Sequence, residues 1–258
     1  MEKFIYKSWA GITVLSASFS DFTYKKHCHG EYALGVTKRG VQQYYLAGSL
    51  NSSYPHGVML FNPEQTHDGR SQDSDGIDYV MLYINPELLL SAVDKTEIVR
   101  FSAPIVYNSR LEQSILALAD AIGSCADEAL CSELLLALAG HCTGVKQDTA
   151  YKKDDVLTEK AKEMIYYNLC AVLRLDDICR DLAISKFKFI RTFKATTGLS
   201  PYQYFLSCKV AHARQLIEQH QDVYAAVAAC GFADLTHLNR HFKSIYGTTA
   251  FEYLHSLH

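Results

Sequence analysis

Arg191-Thr192-Phe193-Lys194-Ala195-Thr196-Thr197-Gly198 and Arg240-His241-Phe242-Lys243-Ser244-Ile245-Tyr246-Gly247 repeat one pattern 49 positions apart: an arginine, an aromatic residue, a lysine and a closing glycine. The same offset pairs Ile178 with Val227, Ser185 with Asp234, Ser200 with Thr249, Tyr204 with Tyr253 and Phe205 with Leu254. Agreement at independent positions marks a duplicated supersecondary unit. Each copy reads as a short apolar helix (residues 175–182 and 223–230), a tight turn, and a second helix opened by an N-capping residue, Ser185 or Asp234. Gly231 stands where the second copy must turn sharply; Leu182 holds that place in the first, so its turn is expected to be built differently. The pattern is that of two helix-turn-helix units, about 175–197 and 223–247, joined by a helix over about 202–218. One stiff connector of this kind can set two second helices into successive major grooves.

A plain helical bundle containing a duplication is the competing reading, and the outward faces of the second helices decide between them. With Phe189 and Phe193 buried, Lys186, Phe187, Ile190, Arg191 and Lys194 face out; with Leu238 and Phe242 buried, Leu235, Thr236, His237, Asn239, Arg240 and Lys243 do. Arginine, threonine, asparagine and histidine reach base edges, and lysines favour phosphates. Phe187 and Ile190 suit thymine methyls or sugars better than water. These residues favour DNA readout.

The formal net charge of −3 argues against nucleic acid only when averaged over the chain. Residues 1–150 hold 11 basic and 17 acidic residues, or −6, and residues 151–258 hold 14 and 11, or +3. Between Leu182 and Ile217, Lys186, Lys188, Arg191, Lys194, Lys209 and Arg214 meet no Asp or Glu. Such a window is either a solvated surface or a phosphate-facing one.

Residues of the helical half resemble the AraC/XylS family of bacterial transcription regulators. The resemblance rests on Leu175-x2-Ile178-Cys179-x2-Leu182-x2-Ser185, Phe193-Lys194-x3-Gly198-x-Ser200-Pro201-x2-Tyr204, Ala211-x2-Arg214-x-Leu216-Ile217, and Gly231-Phe232-x-Asp234-x3-Leu238-x-Arg240-x-Phe242-Lys243-x3-Gly247-Thr248-Thr249. It covers about residues 157–254. It implies sequence-specific binding to promoter double-stranded DNA and control of transcription, often by activation through contact with RNA polymerase. Two positions depart from the pattern: Ala250 stands where the family usually has proline, and Lys209 where the connector usually has arginine.

The first hundred residues read as short alternating strands broken by Gly30, Gly35, Gly40, Gly48, Gly57, Gly69 and Gly76, suggesting a small barrel or sandwich. From Ser109 the period becomes helical, with Leu111, Ile115, Leu118, Ala119 and Ile122, then Leu130, Leu134, Leu135, Leu138 and Ala139. A helical hairpin over about 109–142 follows, either capping the barrel or forming a homodimer face. The polar segment 144–155 suits a linker. The expected architecture is therefore α+β in two domains: 1–150, a cupin-like β-barrel with a helical hairpin, and 151–258, an all-α tandem helix-turn-helix domain.

His27-x-His29-x-Glu31-Tyr32, with Gly35 and Gly40, and Phe61-Asn62-Pro63-x3-His67-Asp68-Gly69 resemble the cupin-type sensor domain common in that family. Alternation on a strand puts His27, His29 and Glu31 on one face, with His67 free to oppose them. Three readings stand: His27, His29 and His67 hold zinc or iron; these residues with Glu31 contact a small-molecule effector; or the imidazoles make internal hydrogen bonds. A metal-dependent cupin enzyme with a helical assembly domain is the rival function. No Gly-x-Ser-x-Gly, phosphate loop or dinucleotide fingerprint accompanies it, so a non-enzymatic regulator is expected. The cysteines are scattered without a Cys-x-x-Cys and read as reduced, mostly core thiols. No apolar run reaches membrane-spanning length, and a cytoplasmic protein is expected.

Overall fold

A computed structural model describes residues 2–93, 100–148 and 156–257. The chain divides into two compact units, residues 1–23, 30–151 and 255–258 in the first, and 24–29 and 152–254 in the second. The expected boundary at 150/151 lies outside the described residues.

Strands of the first unit are β1 (Lys3–Trp9), β2 (Ile12–Phe19), β4 (Tyr32–Arg39), β5 (Gln42–Leu46), β6 (Ser49–Ser53), β7 (Val58–Phe61), β8 (His67–Ser71), β9 (Ile77–Ile84) and β10 (Ile105–Val106); β3 (Thr23–His27) falls almost wholly in the second. One sheet runs β1-β2-β9-β4-β7-β10, and in the other β5 lies between β8 and β6. Pairing in the first sheet is antiparallel throughout, and its ends, β1 and β10, do not meet. The expected closed barrel is therefore corrected to two open sheets. Gly40 and Gly76 permit one close approach: both have positive φ, and a Cβ on Gly40 would lie 2.1 Å from the Gly76 carbonyl oxygen. Gly35 and Gly69 sit inside β4 and β8 and break neither strand.

Helices α1 (Pro86–Ala92), α2 (Ser109–Gly123) and α3 (Glu128–Thr143) complete this unit. The short α1 went unread in the sequence; Asn85 caps it by accepting from Glu87 N at 2.8 Å, and Pro86 opens it. Leu111, Ile115, Leu118 and Ile122 of α2, with Leu135 and Leu138 of α3, pack onto Ile12, Leu34, Leu60 and Leu82 of the large sheet. Every residue of β7 is buried, because both its faces are covered. Val58 and Leu60 belong to the helix-packed core, while Phe61 meets Tyr44 of the second sheet at 4.8 Å between rings. The hairpin thus caps a sheet. Part of the expected linker is ordered: Gln147 bridges Phe101, and Asp148 N donates to Arg100 O at 2.7 Å. Residues 149–155 lie outside the described residues.

The second unit contains α4 (Val156–Tyr167), α5 (Leu175–Asp181), α6 (Lys186–Thr197), α7 (Pro201–His220), α8 (Val223–Ala229), α9 (Leu235–Tyr246) and most of α10 (Ala250–Leu257). Ala161, Ile165, Ile178, Phe189, Phe193 and Phe205 belong to its first core, which Cys28 joins from the end of β3. No helix among the described residues is long and apolar enough to cross a membrane.

Trp9, the chain's sole tryptophan, packs against the core that contains Ile115. Ile115→Ala leaves a cavity between α2 and the sheet and is expected to cost about 2–5 kcal/mol, read as a lower denaturant midpoint in Trp9 fluorescence.

Candidate nucleic-acid interface and sensor residues

Helices α6 and α9 are each 12 residues long, with buried pairs one turn apart: Phe189 and Phe193, and Leu238 and Phe242. Their opposite faces are open. Lys186, Phe187, Lys188, Arg191 and Lys194 are exposed on α6, as are Thr236, Arg240 and Lys243 on α9. Phe187 is 75% exposed, whereas Ile190 is half-buried. Lys186 pairs with Asp176 at 2.5 Å. The connector α7 has 20 residues, hence spans about 30 Å, close to one turn of DNA.

The two turns differ by one residue. α5 and α8 begin 48 positions apart, while α6 and α9 begin 49 apart. Cys230, the C-cap of α8, is followed by Gly231 at φ +64°; Leu182, the C-cap of α5, is followed by Ala183 at φ +50°. The sequence offset of 49 therefore fails on the first helices. Ile178 is buried and matches Ala226, not Val227, in its place on the helix. Asp234 caps α9 through His237 N at 2.7 Å, but Ser185 at the start of α6 makes no side-chain cap bond.

The C-terminal ends of α6 and α9 run into capping boxes. Ser200 accepts from Gln203 N while Ser200 N donates to Gln203 Oε1, ahead of Pro201. Thr249 N donates to Glu252 Oε2 at 2.8 Å, and Glu252 N returns to Thr249 Oγ1, ahead of Ala250. The bond from Thr249 N, with those from the Thr249 and Thr248 hydroxyls, holds the Glu252 carboxyl below its ordinary range. Proline at the first position has no N–H; alanine does, and Ala250 is fully buried. Asn239 Oδ1 accepts that N–H at 2.9 Å. In the first copy the position equivalent to Asn239 is Ile190. An apolar residue suffices there because Pro201 has nothing to donate. The sequence carried this signal as a paired exchange, Ile190/Pro201 against Asn239/Ala250. His237 is likewise occupied: Nδ1 accepts from Ala233 N at 3.4 Å, and the ring meets Phe232 edge-on at 5.4 Å.

Two cations of the basic window are internal. Lys209 Nζ donates to Gly231 O at 3.2 Å and lies over the rings of Phe205 and Phe232 at 5.0 and 5.3 Å. Arg214 is buried, 5.6 Å from the Tyr246 ring, with Nε 3.8 Å from Glu218, which also accepts from the Tyr253 hydroxyl. The window's +6 therefore does not form one phosphate-facing surface; α6 carries its four exposed members.

Of the residues expected to sense an effector, His27 and His29 belong to the second unit, and Glu31 and His67 to the first. β3 ends at His27 and Gly30 opens the bend before β4, so the expected shared strand face of His27, His29 and Glu31 is not formed. His27 and His29 are buried, with ring centroids 6.0 Å apart. His27 Nδ1 lies 2.7 Å from Lys25 O, and His67 Nδ1 lies 2.8 Å from Gln65 O. A carbonyl selects the tautomer with hydrogen on Nδ1, which leaves the lone pair on Nε2. His67 also stacks on Phe61 at 4.3 Å. Burial, reinforced by His29, pushes His27 down to about 4 despite the bond to Lys25 O. The first unit also holds a cavity of about 280 Å³ that sequence reading missed, between the β5–β6 hairpin and residues 101–104. Ser49, Asn51, Asn62, Gln65 and Ser102 line it with Leu60 and Phe101, and none of its lining side chains is charged.

Residues 10–139 match the family described as AraC-like ligand binding domain, and residues 178–256 match a helix-turn-helix domain. An HTH-type transcriptional regulator of Bacillus subtilis, YbfI, is 24% identical over 226 residues, covering 83% of this chain and 81% of its own length. The MmsAB operon regulatory protein of Pseudomonas aeruginosa is 33% identical over 87 residues, covering 33% of this chain and 28% of that one. Among solved structures, ToxT from Vibrio cholerae with an unsaturated fatty acid bound superposes with a TM-score of 0.65 at 16% identity, over 97% of each chain. A variant of apo ToxT gives 0.66 at 17%, over 98% of this chain and 100% of that one. At such identity the likeness is one of fold.

Asn239→Ala leaves the buried Ala250 N–H without its acceptor and is expected to cost about 1–3 kcal/mol. Adding Ala250→Pro removes that donor, and recovery of the denaturation midpoint in the double variant checks the pairing. For His27, the unfolded imidazole titrates near 6.5 and the folded one near 4, so the unfolded chain takes the proton first. Its contribution is intact above about pH 6.5 and lost as pH falls toward 4. About 2 kcal/mol should vanish between pH 7 and pH 5, and His27→Gln should flatten that part of the stability profile.

Proposed function

Since the chain belongs to the AraC family of transcription regulators, with a ligand-binding domain ahead of a helix-turn-helix DNA-binding domain, we propose that α6 and α9 are its two reading helices. The observation that carries this is the duplicated arrangement itself: on each helix a buried apolar pair lies opposite an exposed arginine and lysine. Arg191 and Arg240 are assigned to base edges, where a guanidinium makes a bidentate bond to guanine. Thr236 and Phe187 suit thymine methyls, with Ile190 at the margin of the same apolar contact. Lys194 and Lys243 suit phosphates, as does Lys186 once it leaves Asp176. His237 reaches the surface beside Arg240. Asn239 keeps only its amide N–H groups for DNA, its carbonyl being committed to Ala250.

For sensing, we assign the 280 Å³ cavity to a small polar effector without net charge, because its lining offers hydroxyls and amides but no counter-ion. His27 and His29 in the second unit, and His67 and Glu31 in the first, are each assigned as polar contacts for an acidic or polar effector, with zinc or iron as the alternative partner of an imidazole nitrogen. Effector binding then shifts the population of DNA-competent conformations. We further propose that the protein acts in the cytoplasm without catalysing a reaction, pairs through the α2–α3 hairpin as a homodimer, and regulates through contact with RNA polymerase.

Sites selected from a random DNA pool test the assignment. Arg191→Ala and Arg240→Ala should each cost about 1–3 kcal/mol at such a site and relax the preference for one base. Lys243→Ala should weaken all sequences alike and lower the salt slope by about 1. Full affinity and selectivity in both arginine variants would overturn the assignment.

A further inference from the structure

Three reactive side chains converge behind the turn that leads into α9. Cys170 is exposed, in the segment after α4; Cys230 caps the C-terminus of α8 and is fully buried. Their main chains meet through Gly231. A Cβ there would lie 2.4 Å from the Cys170 carbonyl oxygen, so only glycine admits the contact, quite apart from its φ of +64°. Lys209 completes the group. Its Nζ donates to Gly231 O at 3.2 Å and would stand 3.8 Å from that same Cβ.

We propose that Cys170 and Cys230 form a reversible disulfide, made by a hydroperoxide and broken by thiols, that pins the turn ahead of the second reading helix. Cys170 is the thiol a peroxide reaches. Its thiolate attacks one peroxide oxygen; the O–O bond breaks, the sulfur becomes a sulfenic acid, and the peroxide leaves as water or an alcohol after taking a proton. The Cys230 thiolate then attacks the sulfenic sulfur. The S–S bond forms, the S–O bond breaks, and hydroxide leaves as water with the proton given up by Cys230. In balance, two thiols and one hydroperoxide give one disulfide, one alcohol or water, and one water.

Lys209 accounts for the second step. Burial raises the Cys230 thiol to about 11, and its interaction with Cys170 adds to this, while the Lys209 ammonium opposes both. Cys230 is thus poorly suited to meet peroxide first but has a cation at hand when a sulfenic acid appears. Closure also needs the two Cα atoms within about 4.4–6.8 Å, and Gly231, next in sequence to Cys230, already lies against the Cys170 carbonyl.

The test treats the full-length protein with stoichiometric hydrogen peroxide, then blocks thiols and measures intact and peptide masses. The wild type should lose two hydrogens, yield a linked peptide pair containing Cys170 and Cys230, and return to the reduced mass with dithiothreitol. Cys230→Ser should stop at a sulfenic acid on Cys170, trapped by dimedone. Cys170→Ser, a change at an exposed residue that should leave folding intact, should leave Cys230 unmodified. Amide hydrogen exchange at residues 228–236 should slow at least threefold on oxidation of the wild type. A disulfide mapping to Cys125 or another thiol, a Cys170→Ser variant that still loses two hydrogens, or unaltered exchange would overturn the proposal.

Discussion

Two helices of 12 residues, about the length at which isolated helices are marginal in water, carry the outward cationic residues, so each depends on burying its apolar stripe. In α6 the Phe189 and Phe193 rings lie 5.6 Å apart, and Phe193 meets Tyr204 of α7 edge-on at 5.5 Å. In α9, Phe242 lies 4.6 Å from Tyr246 and 5.4 Å from Tyr253. Residues four apart share a face, so committing these rings inward commits Arg191 and Lys194, or Arg240 and Lys243, outward. The orientation of the interface is a by-product of the core. Phe187, one turn before Arg191 on the open side, stays 75% exposed because both packing positions are already filled.

The two copies reach the same geometry with different local chemistry. One has the shorter turn, a left-handed alanine and a proline-started connector; the other has a glycine turn and an alanine-started last helix. Each difference is matched nearby. The N–H that Ala250 restores is taken by Asn239, and the close approach that Gly231 allows is occupied by Cys170 and Lys209. Duplication conserves the packing pattern, while the helix ends diverge wherever a neighbouring side chain can satisfy the exposed backbone group.

Helical periodicity made the architecture legible. The apolar spacings at 111, 115, 118 and 122 and at 189 and 193 each place a buried face, and the Arg-x-Phe-Lys repeat locates both α6 and α9. What stayed hidden depends on contacts distant in sequence. Alternation cannot tell a closed barrel from two open sheets, because both bury every second residue. It also runs on through His27-x-His29-x-Glu31, although the strand ends at His27. The polar cavity was out of reach for a similar reason: Asn51 and Ser102 are 51 positions apart and carry no periodic signal.

Charge is where the sequence misleads most instructively. A window of six cations without an acid suggests one continuous basic surface, yet two of its members serve the interior. Lys209 ties the connector to the second turn, and buried Arg214, Tyr246 and Tyr253 cluster with the partly exposed Glu218 between α7, α9 and α10. Desolvation offsets much of the attraction in such a cluster, but removing Glu218 would leave the buried Arg214 guanidinium without its carboxylate. Its effect is therefore on register: it fixes how the end of the connector meets the second helix pair. With α6 anchored at the connector's start by Phe193 and Tyr204, both ends of a rod of about 30 Å are specified by buried contacts. The spacing of α6 and α9 then rests on the interior of the domain, and their cations are left exposed.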